Sequence, residues 1–167
     1  MATSYSNPGG TGDRRALIPM TTTGGFAGTV NNLIDGTQID NVWFSGAATD
    51  YLFQFDFDGV AGGSGAKVVI DEAKWYQSTA NSHGDFQWEA SNDASSWVAI
   101  GSSFNLGGTL TQTMTSLSGN TTAYRYYRMR GVAGFVSASP YLREIEFKVE
   151  VVAVVVAAAQ PQMMVIT

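Results

Sequence analysis

Oxygen-bearing side chains are concentrated in one short stretch in the first third of the chain. Asn32, Asp35, Thr37 and Asp40 offer amide, carboxylate and hydroxyl groups within a single predicted loop. Hard cations such as calcium take oxygen ligands of these kinds. The stretch therefore predicts a calcium-type site. The alternative is that Asp35 caps a turn, because an aspartate side chain commonly accepts a hydrogen bond from the backbone two residues further on.

The groups that catalysis needs are scarce. The chain has one histidine, His83, and no cysteine. A hydrolase requires a nucleophile with its base, or two carboxylates at a defined separation. A zinc site requires several His or Cys ligands. The Gly63–Gly65 segment lacks the spacing of a nucleophile elbow. Carboxylates such as Glu144 and Glu146 are ordinary same-face neighbours on a strand. The sequence argues against an enzyme.

The elements that must position these residues are β-strands. Phe86, Trp88 and Ala90 alternate with polar residues, which is the two-residue period of a half-buried strand. Turn-forming residues occupy positions 91–96, and strand character resumes at Trp97. The pattern predicts a hairpin over Phe86–Phe104 with both tryptophans in the core.

The strictest alternation in the chain lies at Tyr51–Phe57, where every second residue is aromatic. Further strands are predicted at 67–76, 124–130 and 142–149, because these stretches are rich in β-branched and aromatic residues. No segment of helical length has a clean 3.6-residue period. The sequence therefore predicts an all-β domain.

Three segments, in order, resemble the discoidin family, also called coagulation factor 5/8 type C. They are Leu33–Gly36 followed by Trp43, Ser91–Asp93 followed by Trp97, and Tyr124–Met129 continuing through 141–147. The match spans residues 30–149. That family is a galactose-binding-like β-sandwich and includes many carbohydrate-binding modules. The resemblance implies a discoidin-like jelly-roll sandwich with an extended N-terminal arm and a C-terminal apolar strand.

The resemblance also implies a metal site. In the carbohydrate-binding modules, the Asp-Gly loop and a glutamate on the last strand share one calcium ion. Asp35 and Glu144 match those two ligand positions in this sequence. Thr37 fits a third ligand, and Asn32 fits a ligand that coordinates through its backbone carbonyl.

One ligand position stays open. This chain has an extra residue between Asp35 and Trp43, so Asp40 and Asn41 are both candidates for it. The competing interpretation needs no metal. In it Asp35 caps a turn and Glu144 pairs with a nearby arginine, Arg143 or Arg128.

A sugar site in the resembled fold lies on the loops at one end of the sandwich. It combines aromatic rings, which stack on carbon-rich sugar faces, with a few polar groups. Tyr76, His83 and Phe135 lie in or beside predicted loops and are the predicted ligand contacts. The alternative for His83 is an ordinary hydrogen bond within its loop. Trp43 matches the family's core tryptophan and is predicted to be buried.

Composition narrows the class of partner. A net charge of −5 and a pI near 4.6 argue against nucleic acid, whose phosphates require clustered Lys and Arg. The first residues have neither the basic nor the apolar region of a signal peptide. The longest apolar run is too short to span a membrane, which takes about 20 residues. We expect no membrane insertion.

The C-terminal stretch departs from the family pattern. Nine consecutive apolar residues form Val151–Ala159, directly after the strand that completes the resembled fold. Exposed, such a stretch would aggregate. The sequence predicts an arm at 1–29, a sandwich at 30–149 and an assembly tail at 150–167 that is buried in another chain. The predicted assembly contacts are Val151, Val154, Val156, Met163, Met164 and Ile166. The alternative is a last strand buried in the domain's own sandwich.

Two functions follow from these features. The first is a structural subunit of a large assembly, namely a bacteriophage virion decoration, head-fibre or tail-appendage protein. Its support is the low charged fraction of 14%, the missing signal sequence and the similarity of discoidin-like proteins with Gly/Thr-rich arms to phage structural proteins. Such a protein would bind other virion subunits or copies of itself and be assembled in the host cytoplasm. The alternative is a soluble carbohydrate-binding module that adheres to cell-surface glycans.

Overall fold

The computed structural model describes residues 2–39, 42–63, 65–138 and 140–152. Their regular structure consists of β-strands joined by loops and short 3-10 helices. The strands are β1 (Met20–Thr23), β2 (Phe26–Gly28), β3 (Val42–Phe44), β4 (Gly46–Ala47), β5 (Leu52–Asp56), β6 (Lys67–Gln77), β7 (Ser82–Ser91), β8 (Val98–Gly107), β9 (Thr111–Met114), β10 (Tyr126–Ala133), β11 (Phe135–Val136) and β12 (Leu142–Val152). The 3-10 helices are Val30–Ile34, Ala48–Asp50, Asp58–Ala61 and Thr115–Leu117.

Two five-stranded sheets pack face to face. One has the strand order β1-β5-β10-β7-β8, and the other has the order β2-β3-β12-β6-β9. β4 and β11 form a small additional pair. Every strand pairing among the described residues is antiparallel. This is the predicted all-β jelly-roll sandwich.

The aromatic residues of β5 form the centre of the core. Phe53 and Phe55 are fully buried, as the alternation in this strand predicts. Phe55 meets Phe147 of the opposite sheet with ring centroids 5.0 Å apart in an edge-to-face arrangement. Trp88, on β7, is likewise fully buried and approaches Phe147. The prediction for Trp88 is confirmed.

The predicted hairpin is present, but its second tryptophan is not in the core. β7 pairs with β8 around a turn in which the carboxylate of Asp93 accepts backbone N–H groups of Ser95 and Ser96. Trp97 stands at the end of this turn, half-buried, with the guanidinium carbon of Arg128 3.8 Å from its ring centroid. The prediction that Trp97 is a core residue is wrong, because its ring packs on the outer face of the sheet.

The predicted burial of Trp43 is also wrong. Its neighbours in β3, Val42 and Phe44, are both turned into the core. Successive side chains in a strand point to opposite faces, so Trp43 projects outward.

The N-terminal segment is built into both sheets. β1 pairs along the edge of β5, and β2 pairs with β3. Closer to the terminus, Ser4 and Val149 bridge through two backbone hydrogen bonds. The sequence predicts an extended arm with one edge strand here. The segment instead supplies two edge strands and a set of contacts to the sandwich.

The last described strand extends past the point where the resembled fold was expected to end. Val151 pairs with Val68 of β6 and packs against the core of its own domain. The sequence predicts an assembly tail at 150–167, and this prediction is wrong for Val151, which belongs to the sandwich. Val154, Val156, Met163, Met164 and Ile166 lie outside the described residues. Their role in assembly stays a prediction.

Candidate functional site

Several loops meet at one end of the sandwich. β6 ends there at Gln77, β7 begins at Ser82 and β12 begins at Leu142. Leu142 pairs with Val42 on one side and with Gln77 on the other. The loop residues 78–81, 108–110, 137–138 and 140–141 therefore lie together, and we call this region the loop end.

Three large aromatic side chains are exposed near the loop end. Phe135 is 78% exposed, Tyr141 46% and Trp43 41%. Because Val42 and Leu142 are paired and both buried, the alternation of side chains places Trp43 and Tyr141, one residue along each chain, on the outer face. Phe135 pairs with Ala47, shortly after β3. We call Trp43, Phe135 and Tyr141 the aromatic rim.

The backbone of Tyr141 is fixed by the neighbouring loop. Its N–H donates to the hydroxyl of Ser78 at 2.8 Å, and its carbonyl accepts the Ser78 N–H at 2.9 Å. Ordered backbone on both sides of an exposed ring limits the conformational entropy that is lost when a ligand stacks on it. The 78–81 loop therefore sets the position of this part of the rim.

That loop is held from inside by the buried side chain of Gln77. Its Nε2 donates to the carbonyls of Thr79 at 2.6 Å and Asn81 at 2.8 Å. Its Oε1 accepts the indole N–H of Trp75 at 2.8 Å and lies 3.1 Å from Nε2 of His83. We call Trp75, Gln77 and His83 the Gln77 cluster.

His83 lies beneath the rim and not on it. The residue is in β7, fully buried, and its ring stacks on Phe44 with centroids 4.9 Å apart. Since Gln77 Oε1 can only accept, Nε2 of His83 carries the proton, and Nδ1 has no hydrogen-bond partner in the described part of the chain. Burial lowers the pKa of His83 to about 4, so the ring is neutral. This placement corrects its assignment to a loop and gives it a supporting position.

The other two predicted ligand contacts have different surroundings. Phe135 belongs to the exposed rim. Tyr76 lies within β6 and is half-buried, with its hydroxyl donating to Oε2 of Glu146 at 2.8 Å. Burial and this carboxylate raise the pKa of the Tyr76 hydroxyl. Tyr76 lies in the strand predicted at 67–76, and its hydroxyl is bound to the neighbouring strand β12; its role as a ligand contact stays a prediction.

The described residues of the predicted metal site lie where the 30–37 loop meets β12. Glu144 is buried, and its Oε1 accepts a hydrogen bond from the guanidinium of Arg14 while its Oε2 accepts the N–H of Gly36 at 3.2 Å. Burial raises the pKa of Glu144 above its usual range, and the charge of Arg14 opposes that rise and favours the carboxylate. The alternative in which Glu144 pairs with an arginine is present, with Arg14 as the partner.

The loop residues are engaged locally. Oδ1 of Asp35 accepts the N–H of Thr37 at 2.8 Å and its hydroxyl at 2.7 Å, which is the turn-capping arrangement. The carbonyl of Asn32 accepts the N–H of Asp35 at 3.3 Å. Asp40 lies outside the described residues.

These contacts do not fit a calcium site as they are arranged. Calcium takes six to eight oxygens at about 2.3–2.6 Å, whereas both oxygens of Glu144 are taken by N–H donors. Among the described residues, no three His, Cys, Asp or Glu side chains are grouped so that they could hold a metal ion. A calcium ion shared by Asp35 and Glu144 stays a prediction, which metal analysis would test.

Sequence reasoning missed Arg14, Gln77 and Tyr141. Arg14 and Glu144 are 130 residues apart, and no local pattern connects them. Gln77 is a polar residue at the end of a strand, and only its burial reveals its role. Tyr141 could have been noticed, because it follows Pro140 at the start of a predicted strand.

Comparison with known families and with curated proteins finds no match. Solved structures do match. The family 32 carbohydrate-binding module of Clostridium perfringens NanJ, in complex with galactose, aligns with a TM-score of 0.54 at 13% identity, covering 84% of this chain and 98% of that one. The C-terminal domain of a chitobiase from Bacteroides fragilis aligns with a TM-score of 0.53 at 15% identity, covering 83% and 97%.

A third structure is CpGH89CBM32-5 from Clostridium perfringens, in complex with GalNAc-β-1,3-galactose. It aligns with a TM-score of 0.52 at 17% identity, covering 80% of this chain and 96% of that one. Identities this low establish the fold and nothing finer. No helix in the described ranges is long and apolar enough to cross a bilayer. The chain has the jelly-roll β-sandwich of the carbohydrate-binding modules and discoidin-like, galactose-binding-type domains.

Proposed function

We propose that this domain is a glycan-binding module and that it binds sugars through the aromatic rim at its loop end. The observation that carries the proposal is the exposure of Trp43, Phe135 and Tyr141 near one end of the sandwich. Large aromatic rings usually lie in the core, so three exposed rings near one end of the sandwich mark an interaction surface. Aromatic faces suit the C–H faces of pyranose rings.

The structural neighbours support this alternative better than the virion interpretation. Two of them are sugar complexes, one with galactose and one with GalNAc-β-1,3-galactose. Carbohydrate-binding modules are non-catalytic, which is consistent with the scarcity of catalytic groups in this sequence. A galactose-terminated or N-acetylgalactosamine-terminated glycan is therefore the first ligand class to try.

The rim is suited to stacking because its support is rigid. Tyr141 is held by Ser78, and Ser78 begins the loop that Gln77 braces. The polar groups that would orient sugar hydroxyls are available in the same loops, as the side chains of Ser78, Thr79 and Asn81. Ring stacking would supply most of the binding free energy and these groups would supply selectivity.

The test is a glycan array followed by titration calorimetry with the best ligands. Trp43→Ala and Tyr141→Ala should each weaken binding about tenfold or more, while Tyr141→Phe, which keeps the ring, should bind nearly as well as the wild type. Val98→Ala is the matched control, since Val98 is exposed but begins β8 at the opposite end. Wild-type protein that binds no glycan, or rim variants that bind as tightly as the control, would contradict the proposal.

A further inference from the structure

The side of the sandwich holds a buried cation that belongs to the protein itself. Arg14 is 1% exposed, and its guanidinium donates to three oxygens: the carbonyls of Gly10 and Gly12, each at 2.9 Å, and Oε1 of Glu144. We propose that this guanidinium stands in place of a metal ion where the N-terminal segment, the 30–37 loop and β12 meet, so that the sandwich closes there without calcium. We call these contacts the Arg14 junction.

The acceptors around Arg14 are of the kinds that a calcium ion would use. One is a carboxylate oxygen and two are backbone carbonyls, all turned toward one buried positive charge. A buried charge is tolerated only when it is paired and hydrogen-bonded. The planar guanidinium satisfies several acceptors at fixed angles, which an ammonium group cannot do. The junction therefore has its cation and does not need a second one.

A metal ion would have to compete with that cation. Both oxygens of Glu144 are engaged, one by Arg14 and the other by the N–H of Gly36. The remaining predicted carboxylate in the described loop, Asp35, is bound by Thr37. An added divalent ion would break these bonds and lie against a guanidinium of like charge, which is unfavourable in a buried site.

The junction also explains how the N-terminal segment is fixed in place. The N–H of Arg14 donates to the carbonyl of Ile34 at 2.9 Å, and the N–H of Phe147 donates to the carbonyl of Gly10 at 3.1 Å. Gly36 approaches so closely that a Cβ there would lie 2.5 Å from the backbone carbon of Gly12. Arg14 thus connects three segments that are remote in sequence: its side chain joins the N-terminal segment to β12, and its backbone N–H joins both to the 30–37 loop.

The first test is metal analysis of the full chain with thermal melts. The dialysed wild-type protein should contain no stoichiometric calcium. Its melting temperature should change by no more than about 1 °C in excess EDTA or in millimolar CaCl₂, because a ligand that does not bind the folded state cannot stabilise it. Calcium at one equivalent per chain, or a clear fall in melting temperature on chelation, would overturn the proposal.

The second test is a double-mutant cycle. Arg14→Met and Glu144→Gln should each lower the melting temperature by several degrees, and the double variant should lose clearly less than their sum, since neither partner is then left alone. Strictly additive losses would overturn the pairing. Arg15→Met is the matched control, because Arg15 is exposed and its ion pair is with the exposed Asp13. If Arg14→Met fails to fold, Arg14→Lys replaces it in the cycle, with an intermediate loss expected.

Discussion

Two buried polar clusters lie under the surface of this sandwich, and they differ in charge. In the Arg14 junction, a guanidinium meets the carboxylate of Glu144 and two carbonyl oxygens. In the Gln77 cluster, an amide joins the indole of Trp75 to the neutral ring of His83. The junction connects three remote segments of chain, whereas the cluster supports one loop from beneath.

The difference shows which kind of buried polar contact suits which task. An ion pair is strongly destabilising to break, so it suits a connection between segments that must stay together. A neutral network costs less to bury, and it can fix a loop without placing charge near a ligand surface. In the Gln77 cluster the group that can acquire a charge is His83, and its protonation would destabilise the cluster. The two clusters should therefore respond differently to mutation and to pH.

The largest effect should come from breaking the junction. Glu144→Ala leaves the guanidinium of Arg14 buried without its carboxylate, and loss of one partner of a buried pair costs about 3–5 kcal/mol. Urea unfolding followed by tryptophan fluorescence would measure the loss. Asp13→Ala is the control, since it breaks the exposed pair with Arg15 and should leave the free energy of unfolding unchanged. Equal effects of the two variants would mean that the junction is solvated.

The second effect is a pH dependence of the free energy of unfolding, which His83 of the Gln77 cluster should cause. The pKa of His83 is about 4 in the folded protein and 6.5 in its ordinary state, so the unfolded chain binds more protons between these values. The stabilisation that comes from burying neutral His83 is complete above pH 6.5. It is lost as the pH falls toward 4, because the unfolded chain takes up the proton first. The shift corresponds to about 3 kcal/mol across that window.

Carboxylates also titrate near the lower end of this window, so a variant must isolate the histidine. His83→Phe keeps a ring that can stack on Phe44 but cannot take up a proton. Unfolding free energies measured at intervals from pH 7 to pH 4 should fall less steeply for this variant than for the wild type. Parallel curves would show that His83 can be protonated without cost where it lies.

The strands of this fold could be predicted because their signal is local. In Tyr51–Phe57 and around Trp88, aromatic residues recur at every second position, and those residues are the ones found buried. Trp43 could not be placed in the same way. Val42, Trp43 and Phe44 are all apolar, so the period gives two faces without saying which one is inside. Pairing with β12 decides this, and that strand is about a hundred residues further along.

Long-range partners account for the other differences. The sequence predicts Trp97 in the core. Its ring instead lies on the outer face of the sheet, where it makes a cation–π contact with Arg128 of β10. The sequence singles out Glu144 as a metal ligand, which stays a prediction, and its observed partner Arg14 lies in a segment that the sequence describes only as a Gly/Thr-rich arm. The turn-capping role of Asp35 is local, and the sequence does contain it as the alternative to a metal ligand.

The smallest effect concerns Gln77, and it distinguishes a residue that supports the aromatic rim from one that contacts the glycan. Gln77→Leu keeps a side chain of similar size but removes the bonds to Trp75, His83 and the 78–81 loop. The loss in stability should be about 1–2 kcal/mol, since the loop carbonyls can turn toward water. Glycan affinity should also fall, about fivefold, although Gln77 is buried and touches no ligand, because Tyr141 depends on Ser78 for its position.

Gln87→Leu is the matched variant for this last test. Gln87 also donates to several backbone carbonyls, those of Trp88, Ile100 and Gly101, but it lies in the β7–β8 hairpin away from the loop end. It should lose stability and keep its affinity for glycans, measured by calorimetry at a temperature where both variants are fully folded. If both variants lose glycan affinity equally, the aromatic rim is sensitive to overall stability, and the Gln77 cluster does not specifically position it. If neither variant loses glycan affinity, Tyr141 keeps its position without the hydrogen bonds of Gln77.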